Sequence, residues 1–155
     1  MRKNIGWVFM ALVCFISCKD QYDICDTPRT VQLNGGFYHR MGGTETVNTA
    51  PAFTLSVLGT NLNLYDQQAG LQKFNLQLNQ ISDTAKYFVR LNNSTGADTV
   101  TIVYYSQLVT LPEPCGIITT NTLTSVKTTR HSIDTVTIVN PAVGTTGAQN
   151  IKLYF

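Results

Sequence analysis

The chain has 155 residues, 11 basic and 9 acidic side chains, and only 13% charged residues, about half the 25% or so of ordinary domains. No Lys/Arg cluster stands out, which argues against nucleic acid as a partner. Thr, Asn, Gln and Ser fill the polar positions instead, a composition suited to a β-protein outside the cytoplasm.

In chain order, Arg2 and Lys3 precede an apolar run, Ile5, Trp7 to Val13 and Cys14 to Ile16. It is shorter than the roughly 20 residues a spanning helix needs, and has the layout of a secretory signal. Its end, Phe15-Ile16-Ser17-Cys18, resembles a bacterial lipobox, with Phe15 where Leu is usual. The expectation is a lipoprotein signal over 1–17, an acylated Cys18 opening a short tether over 18–26, and one domain over 27–155. An ordinary secretory signal with a chance Cys is the alternative. Multiple acyl chains at Cys18 would hold the protein on a lipid bilayer. Lys19-Asp20 begins like the surface-export signal of some Bacteroidota lipoproteins, but Gln21 and Tyr22 interrupt the acidic run. The favoured address is therefore the outer membrane with the domain facing the periplasm, ahead of the cell surface.

Removal of 1–17 takes away Arg2, Lys3, Cys14 and the only Trp, Trp7, leaving nine basic against nine acidic residues. With Cys18 acylated, Cys25 and Cys115 remain. In an oxidising compartment they most simply form a disulfide; free thiols and a metal site are the alternatives. Cys25 is seven residues beyond Cys18, at most about 25 Å of extended chain, so a pinned Cys25 keeps the domain close to the bilayer.

Beyond the tether, period-2 alternation predicts strands nearly throughout. Thr30 to Leu33 alternates, Gly35-Gly36 reads as a turn, Phe37 to Met41 as a strand, and Gly42-Gly43 as a second turn. Further strands are expected at Phe53–Val57, Leu62–Leu64, Phe74–Leu78, Tyr87–Leu91, Val100–Tyr105, Ile117-Ile118, Ser132–Val139 and Ile151–Phe155. Ala69 to Leu71 allows at most one helical turn. Strands at roughly ten-residue spacing predict an all-β, single-domain β-sandwich, immunoglobulin-like.

Cys25-Asp26-Thr27-Pro28 before an alternating strand, Val100 to Tyr105, Cys115-Gly116 and the tail Ile151 to Tyr154 resemble an uncharacterised family of small Bacteroidota lipoproteins. The resemblance implies lipid anchoring and an all-β domain of unknown function, and brings no activity.

Residues for chemistry are few. His131 lies in Arg130-His131-Ser132-Ile133-Asp134, but neighbours along one strand point to opposite faces and cannot form a triad. A solvent-facing His at a strand start is the better reading. His39 is flanked by Tyr38 and Arg40. Asp20, Asp23 and Asp26 lack the Gly and closing Glu of a calcium loop. Neither a metal nor a cofactor is expected, and no catalytic residue is assigned.

Three aromatic pairs, Phe37-Tyr38, Tyr87-Phe88 and Tyr104-Tyr105, each place one ring on each face of a strand. If Tyr38, Tyr87 and Tyr105 point outward, they form a candidate binding surface; ordinary strand filling is the simpler reading. Four of seven Asp residues precede Thr. Asp83-Thr84, Asp98-Thr99 and Asp134-Thr135 resemble the O-glycosylation sequon of Bacteroidota periplasmic proteins, making Thr84, Thr99 and Thr135 candidate glycan carriers. The alternative is that Asp suits turns and Thr suits strands. The expected function is a membrane-anchored, non-enzymatic interaction or assembly module, partnered by an outer-membrane barrel protein or envelope complex. The alternative is a glycan or small-ligand binder using the strand aromatics.

Overall fold

A computed structural model describes residues 25–92 and 96–155. The expected signal segment, Cys18, Asp20 and Asp23 lie outside the described residues. Eleven strands follow in order: β1 Leu33–Met41, β2 Thr44–Val47, β3 Phe53–Val57, β4 Asn63–Gln68, β5 Lys73–Leu76, β6 Thr84–Arg90, β7 Asp98–Thr110, β8 Ile117–Thr128, β9 Thr135–Ile138, β10 Ala142–Val143 and β11 Gln149–Tyr154. They form two sheets, β2-β1-β11-β9 with β5 also paired to β1, and β10-β8-β7-β6-β3-β4. The first and last strands, β1 and β11, pair in parallel; the other pairings are antiparallel. The expected two-sheet sandwich is thus present.

The core lies between the sheets and follows from alternation. Val100, Ile102 and Tyr104 of β7 point inward, as do Tyr87 and Val89 of β6 and Ile151 and Leu153 of β11. At its centre Phe37, Phe53 and Phe74 pack with ring centroids 5.0–5.3 Å apart, the spacing at which aromatic rings attract. Asn150, buried at an edge of this core, satisfies its amide completely. Its Oδ1 accepts from the Asn34 N–H at 2.9 Å, and its Nδ2 donates to the carbonyls of Asn140 and Ala142.

Three expectations need correction. Gly35-Gly36 is not a turn; both lie inside β1. A Cβ on Gly35 would fall 2.2 Å from Phe74 Cζ, so glycine here admits a ring rather than bending the chain. Gly42-Gly43 is a turn, with φ of +59° and +87°, the pair of positive angles that a two-residue hairpin takes. The strand expected from Ser132 begins only at Thr135, because Arg130 has φ +62° and Asp98 captures the next three N–H groups. Ala69 to Leu71 is a bend at Gly70 followed by a bridge from Leu71 to Ala50, not a helical turn.

β7 and β8 form a hairpin that outgrows the sandwich. β6 pairs with β7 only as far as Val103, while β7 and β8 continue to Thr110 and Ile117. Residues 105–110 are all exposed. Past them, the Leu111 N–H donates to the Gly116 carbonyl and the Cys115 N–H to the Pro112 carbonyl. Cys115 is joined to Cys25, with Cα atoms 4.9 Å apart, so the expected disulfide fastens the entering chain to the hairpin tip.

Candidate functional site

An open cleft of about 1000 Å³ is lined by β3, β4 and β6 of the six-stranded sheet on one side and by β5 and the residues after it on the other. Among the described residues, strand β4 ends its sheet unpaired on one side. Leu58, Leu62, Leu64 and Leu76 make the walls apolar, while Asn75, Gln77 and Asn79 present amides opposite. Leu58, Leu62 and Leu64 are exposed at the mouth. One end is closed by Tyr65, whose hydroxyl accepts from the Asn75 N–H at 3.0 Å and donates to the Asn75 carbonyl. Such a cleft offers apolar contact and hydrogen-bonding amides, with Lys86 its one cationic wall residue.

The tyrosines expected to point outward together do not share a face. Tyr87 is only 3% exposed and points into the core. Its hydroxyl donates to the Gln77 carbonyl beneath the cleft. Burial, reinforced by nearby Tyr104, pushes its phenol up to about 12. The reason is register: in β6 the inward positions are Tyr87 and Val89, so Phe88 faces outward. Tyr105 is 50% exposed on the outer face of the six-stranded sheet.

Tyr38 lies on the outer face of the other sheet, where Lys152 Nζ sits 4.6 Å from its ring centroid. Arg40 stacks likewise 4.6 Å from the Tyr154 ring. Glu45 ties the group together: it accepts from Arg40 at 2.6 Å, Lys152 at 2.6 Å and the Tyr154 hydroxyl at 2.7 Å. Those bonds, Lys152 first, lower its carboxyl to about 2. The cations cover these rings, so the patch is closed on itself rather than open as a platform. The pairing of Arg40 with Glu45 is not among the expectations from sequence, although the two-residue Gly42-Gly43 turn is the signal that sets these positions opposite one another.

Asp98 is the residue that local pattern could not reveal. It is 1% exposed and accepts from the Thr129 hydroxyl and the His131 N–H, each at 2.7 Å, on one oxygen. The other accepts from the Ser132 and Ile133 N–H groups at 2.7 and 2.9 Å. Burial opposes its charge, but the N–H groups of His131, Ser132 and Ile133 and the Thr129 hydroxyl outweigh it and lower the carboxyl to about 2. His131 Nδ1 lies 3.3 Å from Oδ1, the oxygen that accepts from the Thr129 hydroxyl. The Ser132 hydroxyl instead donates to the Gly96 carbonyl; the hydroxyl beside the imidazole is that of Thr129, whose Oγ1 lies 3.2 Å from His131 Nδ1 and donates to Asp98. His131 is exposed, as expected, but on a loop rather than at a strand start. His39 bonds to the Phe155 carbonyl at 3.0 Å and shares no partner with His131. Asp26 is exposed, and no cluster of three or more His, Cys, Asp or Glu able to hold a metal occurs among the described residues.

Thr84, Thr99 and Thr135 all lie in the opening residues of strands, half-buried. Asp83 and Asp134 before them are exposed, unlike Asp98.

A family model matches residues 52–155, from just before β3 to the end of the chain. The chain belongs to DUF6452, a family of unknown function. No curated relative and no solved structure matches. The DUF6452 match contains the cleft's β3, β4 and β6, the Asp98 loop and the whole β7–β8 hairpin, but not Cys25 or Tyr38.

Proposed function

We propose that this DUF6452 protein is a membrane-anchored envelope lipoprotein that acts as a non-enzymatic interaction or assembly module. Acylated Cys18 holds it in a lipid bilayer, that of the outer membrane with the domain on the periplasmic side. Its partner is an outer-membrane barrel protein or envelope complex that presents an extended segment. The observation that carries this reading is the open cleft beside the free edge of β4. Its exposed leucines and facing amides suit a peptide laid along a sheet edge, where backbone bonds give affinity and side-chain pockets give choice. The disulfide and the short tether keep that cleft near membrane-resident partners.

The glycan reading keeps less support. Tyr87 is internal and Tyr38 is covered, which leaves Tyr105 alone, and sugar recognition ordinarily draws on several convergent groups.

A photo-crosslinking amino acid at Leu64, used in the native host, tests the proposal. One dominant envelope-protein adduct is expected, lost when Leu62→Asp is added. No adduct, or the same adducts from a reporter at Val139 outside the cleft, would refute it.

A further inference from the structure

The part of the β7–β8 hairpin beyond the sandwich has a composition that the cleft does not explain. Between Val103 and Val126, Glu113 is the only charged residue. Leu108 is 76% and Ile117 58% exposed, and the pairing of Thr110 with Ile117 sets these two on one face. Val109 and Tyr105 are exposed on the other. Each projecting strand runs about six residues, roughly 20 Å. The tip is joined to Cys25, whose Cα lies 4.9 Å from that of Cys115, and Cys18 precedes Cys25 by seven residues. The end of the chain that leads to Cys18 is therefore tied to a projection with exposed Leu108, Val109 and Ile117 and one charged residue, Glu113.

We propose that the tip of the β7–β8 hairpin is a second membrane contact, with Leu108 and Ile117 seated in the headgroup–acyl boundary. This rests on the reading that Cys18 is acylated. The depth is limited by the backbone. Beyond Val103, the outer edge of β7 has no strand partner among the described residues, and unpaired backbone groups do not enter hydrocarbon. The side chains enter the interface while the ribbon stays hydrated, the depth at which amphipathic elements rest. Arg29, beside Gly116 at the tip, supplies a cation to lipid phosphate. Two contacts, the acyl chains and the hairpin, fix the orientation of the domain where a tether alone leaves it free to rotate.

The mature chain has no Trp, since Trp7 lies in the signal segment, so a single introduced Trp is a clean reporter. Leu108→Trp and Ile117→Trp place it at the tip. Met41→Trp is the control: Met41 is 73% exposed and ends β1, whereas the chain before β1, Arg29 to Val31, is what lines a hollow with Ile117 and Ile118. Each full-length protein is purified from membranes, checked by intact mass for acyl chains, and reconstituted into phosphatidylethanolamine–phosphatidylglycerol vesicles with and without brominated acyl chains. We expect blue-shifted emission and about twofold quenching for Leu108→Trp and Ile117→Trp, and neither for Met41→Trp. If acyl mass is present but neither tip reporter is quenched more than the control, the hairpin faces water or another protein. The inference then fails while the anchor stands. If no acyl mass is found, the anchor itself is wrong and the inference falls with it.

Discussion

Replacing Asp98 by Asn keeps the shape of the side chain and removes half of what it does. An amide offers one acceptor oxygen and an NH₂ group, so only one of the two sites now occupied by carboxylate oxygens survives. If the remaining oxygen keeps the Thr129 hydroxyl and the His131 N–H, the NH₂ confronts the Ser132 and Ile133 N–H groups, now 2.7 and 2.9 Å from Oδ2. Leaving two buried donors unpaired costs about 1–3 kcal/mol each, so Asp98→Asn should lose about 4 kcal/mol at pH 7. A second signature is the pH dependence. With the carboxyl lowered from 3.8 to about 2 in the fold, the unfolded chain binds the proton first as pH falls. The ionised group therefore contributes about 2.5 kcal/mol near pH 6, most of which is gone by pH 2. Glu45 is also lowered to about 2 and titrates in the same window, so the comparison must be parent against variant. Urea denaturation followed by circular dichroism at pH 7, 5, 3 and 2 measures both effects. A loss below about 1 kcal/mol at pH 7, or the same acid dependence with and without Asp98, would refute the account of this carboxylate as the anchor of the 129–133 loop.

Gly35→Ala should destabilise by about 1–3 kcal/mol through collision with the Phe74 ring, and Phe74→Leu should recover part of that loss; thermal melts of both variants and the double variant decide. Reduction, or Cys25→Ser with Cys115→Ser, should lower stability by about 4 kcal/mol by the chain-entropy estimate, since the disulfide spans 90 residues; a urea midpoint unmoved by reductant would contradict this. Intact mass and peptide mapping of protein from the native host test the expectation that Thr84, Thr99 or Thr135 carries an O-glycan. Modification is expected at Thr84 or Thr135, whose preceding Asp residues are exposed, and not at Thr99, whose Asp98 is enclosed. A glycan mapped to Thr99 alone would overturn that ranking.

Strand content was legible because alternation is a local property. Phe53–Val57, Thr84–Arg90 and the first half of β7 carry their inward and outward sides in the order of their residues. The cysteine pair was legible by count, because only two remain once the signal segment and Cys18 are set apart. Which ring of Tyr87-Phe88 faces inward was not, since a one-residue slip inverts a strand, and the pairing of Tyr87 with Val100 is what settles it. Gly35-Gly36 misled for a related reason: glycine serves turns and close approaches alike, and the Phe74 ring that needs the room lies 39 residues on. The cleft depends on where β4 and β5 end up in different sheets, and the Asp98 anchor on partners 31 to 35 residues away.

By itself, then, the sequence determined an all-β chain, its cysteine pair and the expectation of a lipid anchor, because short-range periodicity and composition carry those. Tertiary structure alone decided which faces are shared, which carboxylate is enclosed, and that the entering chain is fastened to an apolar hairpin tip. Those depend on long-range pairing, which no local pattern encodes.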